Sequence, residues 1–159
     1  MARNCSVAAA LQVIGEQWAL LALREVFMGV RRFDAIQEAT GAPRAVLVRR
    51  LRTLVEAGVL ELHDYREPGS RTRQEYRLTE AGRELQPVLT SLMQWGDKHL
   101  AGPDGPPLSV LHTDCGAPVR AVLCCADGHQ LADTGREISP VVNRQNPSRA
   151  IPSGASLKQ

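Results

Sequence analysis

Aromatic side chains make up only 4% of this sequence, and lysine occurs just twice, at Lys98 and Lys158. With 43% apolar residues and so few aromatics, the core has to be aliphatic. Long apolar runs are missing too. The N-terminal stretch is interrupted by Gln12, Gly15 and Glu16, so it does not read as a signal peptide. Nothing approaches the roughly 18 apolar residues that a membrane span requires. The expectation is a cytoplasmic protein without membrane contact. In that compartment Cys5, Cys115, Cys124 and Cys125 are expected as free thiols, metal ligands or redox sensors rather than structural disulfides. Catalytic signatures are also lacking. There is no Gly-rich phosphate loop, no Ser-His-Asp order and no pair of acids set for general acid–base work.

What is present is arginine. The net charge is only +2, yet nearly all the cations are Arg. Arg suits planar, bidentate contacts to phosphate or guanine, although a GC-rich genome produces the same bias. At 159 residues the chain is long enough for one domain with an appendage or tail.

Hydrophobic spacing organises the first part. Val7, Leu11 and Ile14 share a helical face that Gly15 interrupts. A second helix over 17–28 is apolar nearly all round and is expected to be buried, with Gly29 ending it. A short third helix over 32–40 buries Phe33 and Ile36 and closes on Gly41. Pro43 fits the first turn of a fourth helix that runs to about Ala57, with Val46, Leu47, Leu51, Leu54 and Val55 inward. Alternation over 59–65 and 74–78 predicts two strands, with Pro68-Gly69-Ser70 as their turn. Thr79 can cap a last long helix carrying Leu85, Val88, Leu89, Leu92 and Trp95, kinked or frayed at Pro87.

This order predicts a mainly α fold with a small β-hairpin wing, a winged helix-turn-helix over 5–100. Helices three and four form the helix-turn-helix. Between Arg31 and Arg52 lie six arginines against two acids, Asp34 and Glu38. The inward apolar set leaves Arg44, Ala45, Val48, Arg49 and Arg52 on the outer face of helix four. Such a surface fits the major groove, where Arg forks onto guanine O6 and N7. Arg32 opens the third helix, and Arg71 and Arg73 at the wing can reach phosphate or the minor groove. The bland alternative is a solvated face paired with Glu38, Glu56 and Glu75. Basic residues on both the second helix and the wing favour double-stranded DNA.

Several segments carry a family likeness. They are Cys5-Ser-Val-Ala-Ala-Ala-Leu11, Ile14-Gly-Glu-Gln-Trp-Ala-Leu-Leu-Ala-Leu-Arg-Glu25, Arg32-Phe-Asp-Ala-Ile36, Val46-Leu-Val-Arg-Arg-Leu-Arg-Thr-Leu54, Gly58-Val-Leu60, Glu75-Tyr-Arg-Leu-Thr-Glu-Ala-Gly-Arg-Glu-Leu85 and Trp95-Gly96. With them, residues 5–100 resemble the HxlR-type bacterial regulators, relatives of the MarR group. The resemblance implies a homodimeric repressor or activator of a palindromic operator, nucleoid-associated through DNA, with its first and last helices at the dimer interface. The family often starts its recognition helix with a polar cap and a Gln-Arg pair. Here that stretch is Pro43-Arg44-Ala45, and Val48 stands at a Thr-like position, so the operator cannot be borrowed from relatives. Cys5 lies where several members sense quinones, electrophiles or oxidants, which raises a small-molecule or oxidant effector. A thiolate near a helix start, with Arg3 close in sequence, is favoured electrostatically. An inert, half-buried thiol is the alternative.

Residues 101–107 read as a linker and 108–133 as a small zinc-ribbon-like or β-hairpin appendage with a short strand over 119–123. Residues 134–159 read as a disordered tail. Longer members of the family carry a His-x-x-Cys-Gly and a later Cys-x-x-Cys-Gly that resembles a zinc ribbon. In this chain Asp127 replaces the last Cys of that pattern, so no metal is expected. Candidate zinc ligands would be His112, Cys115, Cys124 and Asp127 or His129. Two other classes compete with the regulator: a thiol- or metal-dependent enzyme using this Cys/His cluster, and a winged helix that binds protein.

Overall fold

Leu47, Leu51 and Leu54 fall on one helical stripe, and all three are fully buried. They anchor a core to which Ala19, Ala22, Leu23 and Val26 contribute from one helix, Ile36 from another and Leu60 from a strand. The computed structural model describes residues 5–66, 71–103, 105–132 and 136–141. Two units divide the chain, Met1–Ala121 and Val122–Gln159. The first runs α1 (Ser6–Ile14), α2 (Gln17–Phe27), α3 (Phe33–Thr40), α4 (Arg44–Glu56), β1 (Leu60–Tyr65), β2 (Arg73–Leu78), α5 (Glu80–Arg83) and α6 (Gln86–Leu100). This is the expected winged helix-turn-helix order. The strands pair antiparallel, from Leu60 opposite Leu78 to Tyr65 opposite Arg73. The wing turn expected at Pro68-Gly69-Ser70 lies outside the described residues, as do Arg3 and most of the tail expected over 134–159.

Four local expectations change. Helix α2 is not buried all round: Trp18, Leu20, Leu21 and Phe27 are half-buried, because the last three border a cavity toward α6. Pro43 is the N-cap of α4 rather than a first-turn residue, with ψ 131°. The last helix is two helices. Pro87 has no N–H, and its ring would collide with the carbonyl of Arg83, so α5 ends and a new helix starts with proline in its first turn. The strand expected over 119–123 does not form. Isolated bridges, Leu111 with Pro118 and Cys124 with Gln130, stand there instead, and Pro118 cannot donate to a ladder.

The base of the wing is stitched to the helices around it. Thr79 Oγ1 lies 2.6 Å from the Gly58 carbonyl and 3.1 Å from that of Val59. The same oxygen accepts from Gly82 N at 3.0 Å. Gly82 packs so tightly here that a Cβ would sit 2.2 Å from the Val59 oxygen. That close approach is the physical content of the Leu-Thr-x-x-Gly segment.

Beyond α6, the stretch to Ala121 belongs to the first unit. Gln94 holds it with both ends of its amide, donating to Val119 O at 2.9 Å and accepting from Ala121 N at 3.1 Å. Within the second unit, residues 123–131 close a hairpin in which Leu131 N donates to Leu123 O at 2.8 Å. No single helix among the described residues is long and apolar enough to cross a membrane. Helices α1 and α2 meet that measure only jointly, and they are bent by 76° at their break.

Candidate nucleic-acid interface

Helix α4, the second helix of the helix-turn-helix, is placed by a three-residue turn. Gly41 adopts φ +69°, a left-handed conformation that a side chain would disfavour, and its N–H closes α3 by donating to Gln37 O at 2.9 Å. Ala42 is buried beneath the turn. Thr40 Oγ1 donates to Ile36 O at 2.7 Å, and Gln37 Nε2 reaches the Ala42 carbonyl at 3.4 Å. The turn is therefore held from both its backbone and its side chains.

With Leu47, Leu51 and Leu54 buried, Arg44, Ala45, Val48, Arg49 and Arg52 are all exposed on the opposite face. The arginines are not equivalent. Arg44 lies back on α3, 3.3 Å from Asp34 Oδ1 and 3.4 Å from Gln37 Oε1, with its guanidinium 4.6 Å from the Phe33 ring centroid. Arg52 pairs with Glu56 one turn on, at 2.7 Å. Arg50 turns inward to Glu16 at 3.2 Å and holds α4 against the α1–α2 corner. Arg49 carries no ion pair or hydrogen bond from its side chain among the described residues, and it lies on the open face.

The wing is fixed to the same surface. Tyr76 N donates to the Arg31 carbonyl at 2.8 Å, just before α3. Arg32, the residue that caps α3, stacks its guanidinium 4.8 Å from the Tyr65 ring of β1. Glu75 takes Arg77 at 2.7 Å and Arg31 at 3.8 Å. Arg71 and Arg73 are exposed and, among the described residues, unpaired. Burial pushes the Tyr76 hydroxyl above the usual tyrosine value of 10.0, so it stays neutral.

Pairing with Glu56 and Glu75 thus accounts for Arg52, Arg31 and Arg77, and it leaves Arg49, Arg71 and Arg73 as open cations. Sequence reasoning missed Asp34, Gln37 and Tyr65, which orient Arg44 and Arg32. The signal was the i, i+3 spacing of Asp34 and Gln37 ahead of an arginine at the next helix start. Arg50, one of the six arginines between 31 and 52, does not belong to the basic surface.

Among the described residues around the zinc candidates there are two thiol–imidazole contacts, one within each unit. His112 Nδ1 lies 3.3 Å from Cys115 Sγ in the first unit. In the second, His129 Nδ1 meets Cys125 Sγ at 3.5 Å, and Cys125 is not one of the residues the zinc-ribbon pattern points to. Cys124 and Asp127 are exposed. Among the described residues no group of three or more His, Cys, Asp or Glu side chains is gathered as a metal site. None of the four cysteines forms a disulfide.

A family model of HxlR-like helix-turn-helix proteins matches residues 13–103. The chain belongs to that family. It is 45% identical over 136 residues to Rv3095 of Mycobacterium tuberculosis, an uncharacterized HTH-type transcriptional regulator, covering 85% of this chain and 84% of the relative. Among solved structures, PA1607, a candidate transcription factor, superposes with a TM-score of 0.74 at 37% identity, covering 86% of this chain and 95% of that one. The redox regulator HypR in its oxidized form matches with a TM-score of 0.54 at 25% identity, over 62% of this chain and 100% of its own. These relatives of the HxlR-like chain are regulators, and nothing among them supports the enzyme alternative.

Proposed function

We propose that this HxlR-like regulator acts as a homodimer on a two-fold symmetric operator in double-stranded DNA, in the cytoplasm and on the nucleoid. Helix α4 enters the major groove, and Arg71 and Arg73 of the wing lie against backbone or minor groove. The observation that carries this reading is Arg49, an open cation on the outer face of the second helix of a helix-turn-helix. Arg44, Ala45 and Val48 flank it toward the helix N-terminus, where side chains reach base edges. Arg32 and Arg52 border the same surface. The dimer is supported by apolar surface on two helices. Val7 and Leu11 of α1 are 67% and 56% exposed, and Leu92 and Trp95 of α6 are 51% and 56% exposed. Faces of that kind are normally covered. The test is fluorescence anisotropy of the full chain on DNA fragments selected by the protein and on scrambled DNA. Equal affinity for both at all salt concentrations refutes sequence-specific reading.

A redox role has one specific support, the likeness to HypR, together with a half-buried Cys5 thiol, outside any disulfide, at the N-cap of α1. On this reading diamide or a mild quinone lowers operator affinity, and Cys5→Ser removes the response while basal binding stays. A response that persists in Cys5→Ser excludes Cys5 as the sensor.

A further inference from the structure

Helices α2 and α6 do not close fully on each other. Between them lies a cavity of ≈ 260 Å³, open on one side and roofed by residues 107–110. Leu20 and Phe27 of α2, Leu92 and Met93 of α6, and Leu108 and Val110 of the roof supply its apolar walls, Leu92 belonging also to the exposed face of α6. The roof belongs to the strap that Gln94 ties to α6, and Val119 N donates to Val110 O at 2.8 Å, which fixes the strap's return. The family match ends at residue 103, so this roof lies beyond the common core of the family.

The polar lining is sparse and selective. Thr90 is only 3% exposed and accepts from Gln86 Nε2 at 3.3 Å, while its own proton has no acceptor among the described residues. Arg24 is at the cavity, but its guanidinium is already engaged by the buried carboxylate of Glu25 through Nε at 2.8 Å. Asp97 also lines the space and has no cationic partner among the described residues. An organic anion therefore meets a neutralised arginine and an uncompensated aspartate. An uncharged molecule with a hydroxyl can donate to Asp97 or, two helical turns away, accept from Thr90, with its hydrocarbon in the apolar part. A dry apolar cavity of about 150 Å³ holds a single benzene ring, so the present volume suits a fused bicycle or a chain of similar bulk.

We propose that this roofed cavity is an effector site for a small uncharged hydrocarbon compound bearing one hydroxyl group. Its occupancy bears on DNA because α2 packs directly against α3 and α4, whereas α6 carries the exposed face assigned to the dimer. That coupling rests on the regulator reading, but the binding does not.

Three probes of one shape separate the chemistry: naphthylmethanol, naphthoate and naphthylmethylammonium, titrated calorimetrically into the full chain. The alcohol is expected to bind saturably with micromolar affinity and to change operator affinity several-fold. Naphthoate is expected to bind roughly tenfold more weakly or worse, for want of a free cation. Leu108→Trp fills the cavity from the roof, and Gln94→Ala unties the strap without touching the ligand. Both should weaken alcohol binding at least tenfold while the thermal melt stays cooperative. Absence of saturable binding, equal affinity for naphthoate, tighter binding of the ammonium, or indifference to both variants overturns the proposal. Binding of the alcohol only in a monomeric Leu11→Glu variant also overturns it, since a second copy would then be the occupant. Binding with no change in operator affinity overturns the effector role. Loss of operator binding before any probe is added is instead a failure of the DNA-binding reading.

Discussion

Replacing Arg49 with alanine separates reading from mere attachment. The side chain makes no ion pair or hydrogen bond among the described residues, so its removal leaves no orphaned acid and should cost little folding stability. On the proposed reading, what it costs is base recognition. A bidentate Arg–guanine pair discriminates by roughly 1–3 kcal/mol. A dimer presents the residue twice, so the symmetric operator should lose about 2–6 kcal/mol, a weakening of roughly 30-fold to more than 10⁴-fold. Scrambled DNA should be bound almost as before. Arg71→Ala should behave in the opposite way, weakening both DNAs alike and flattening the log–log salt dependence by about 0.9 for each phosphate no longer neutralised. Anisotropy titrations of the two variants at four or more salt concentrations measure both slopes and both affinities. If Arg49→Ala leaves operator preference intact, α4 is not the reading helix, and the placement of bases along it is wrong.

Other outcomes follow from the packing. Gly82→Ala would push a methyl into the Val59 carbonyl, only 2.2 Å away. It should destabilise the fold by roughly 1–3 kcal/mol in urea melts, and an unchanged midpoint would contradict the stitch at the wing base. Thr79→Ala removes the cap of α5 and should cost about 1 kcal/mol by the same assay. Leu92→Glu puts a charge on the exposed apolar face of α6, and light scattering should report about half the wild-type mass at micromolar concentration if that face closes the dimer. Tyr76 is held neutral by burial, with its value raised above the usual 10.0. Its contribution is therefore complete below that pH and lost as pH rises through the folded-state value. Tyr76→Phe should flatten the alkaline part of the stability profile, and an unaltered slope refutes the assignment.

Much of this architecture is written in periodicity. The Leu47, Leu51, Leu54 stripe, the glycine stops and the alternation in the wing are local signals, and local physics is sufficient to place them. The outer face of α4 follows from the same stripe by exclusion. What could not be read was tertiary. The helical period sets Arg49 on the outer face and leaves Arg50 off it, but nothing in the sequence says that Arg50 meets Glu16, a partner 34 positions away. The half-buried side of α2 is hidden for a similar reason. Its leucines suit a core, and only the separation from α6 leaves them lining a cavity. Pro87 is recognisable as a disturbance, yet whether a helix kinks or restarts depends on how the following turn packs.

The stitch at Thr79 closes the base of the wing whatever the length of its tip. The hairpin leaves at Gly58 and returns at Thr79, and those two points are joined directly by a 2.6 Å hydrogen bond. Between them the strands also meet the helical body, through Leu60 in the core, Tyr76 N on the Arg31 carbonyl and Tyr65 under Arg32. Lengthening the wing tip adds only loop-closure entropy, about 0.6 kcal/mol for each doubling of loop length, and transmits no displacement to α5. On the proposed dimeric reading, the tip can diversify to suit different flanking DNA while the span between the two α4 helices stays set by the body. Half-site spacing and wing specificity become separately adjustable traits, and a graft of another regulator's wing tip onto this base should alter the second without moving the first.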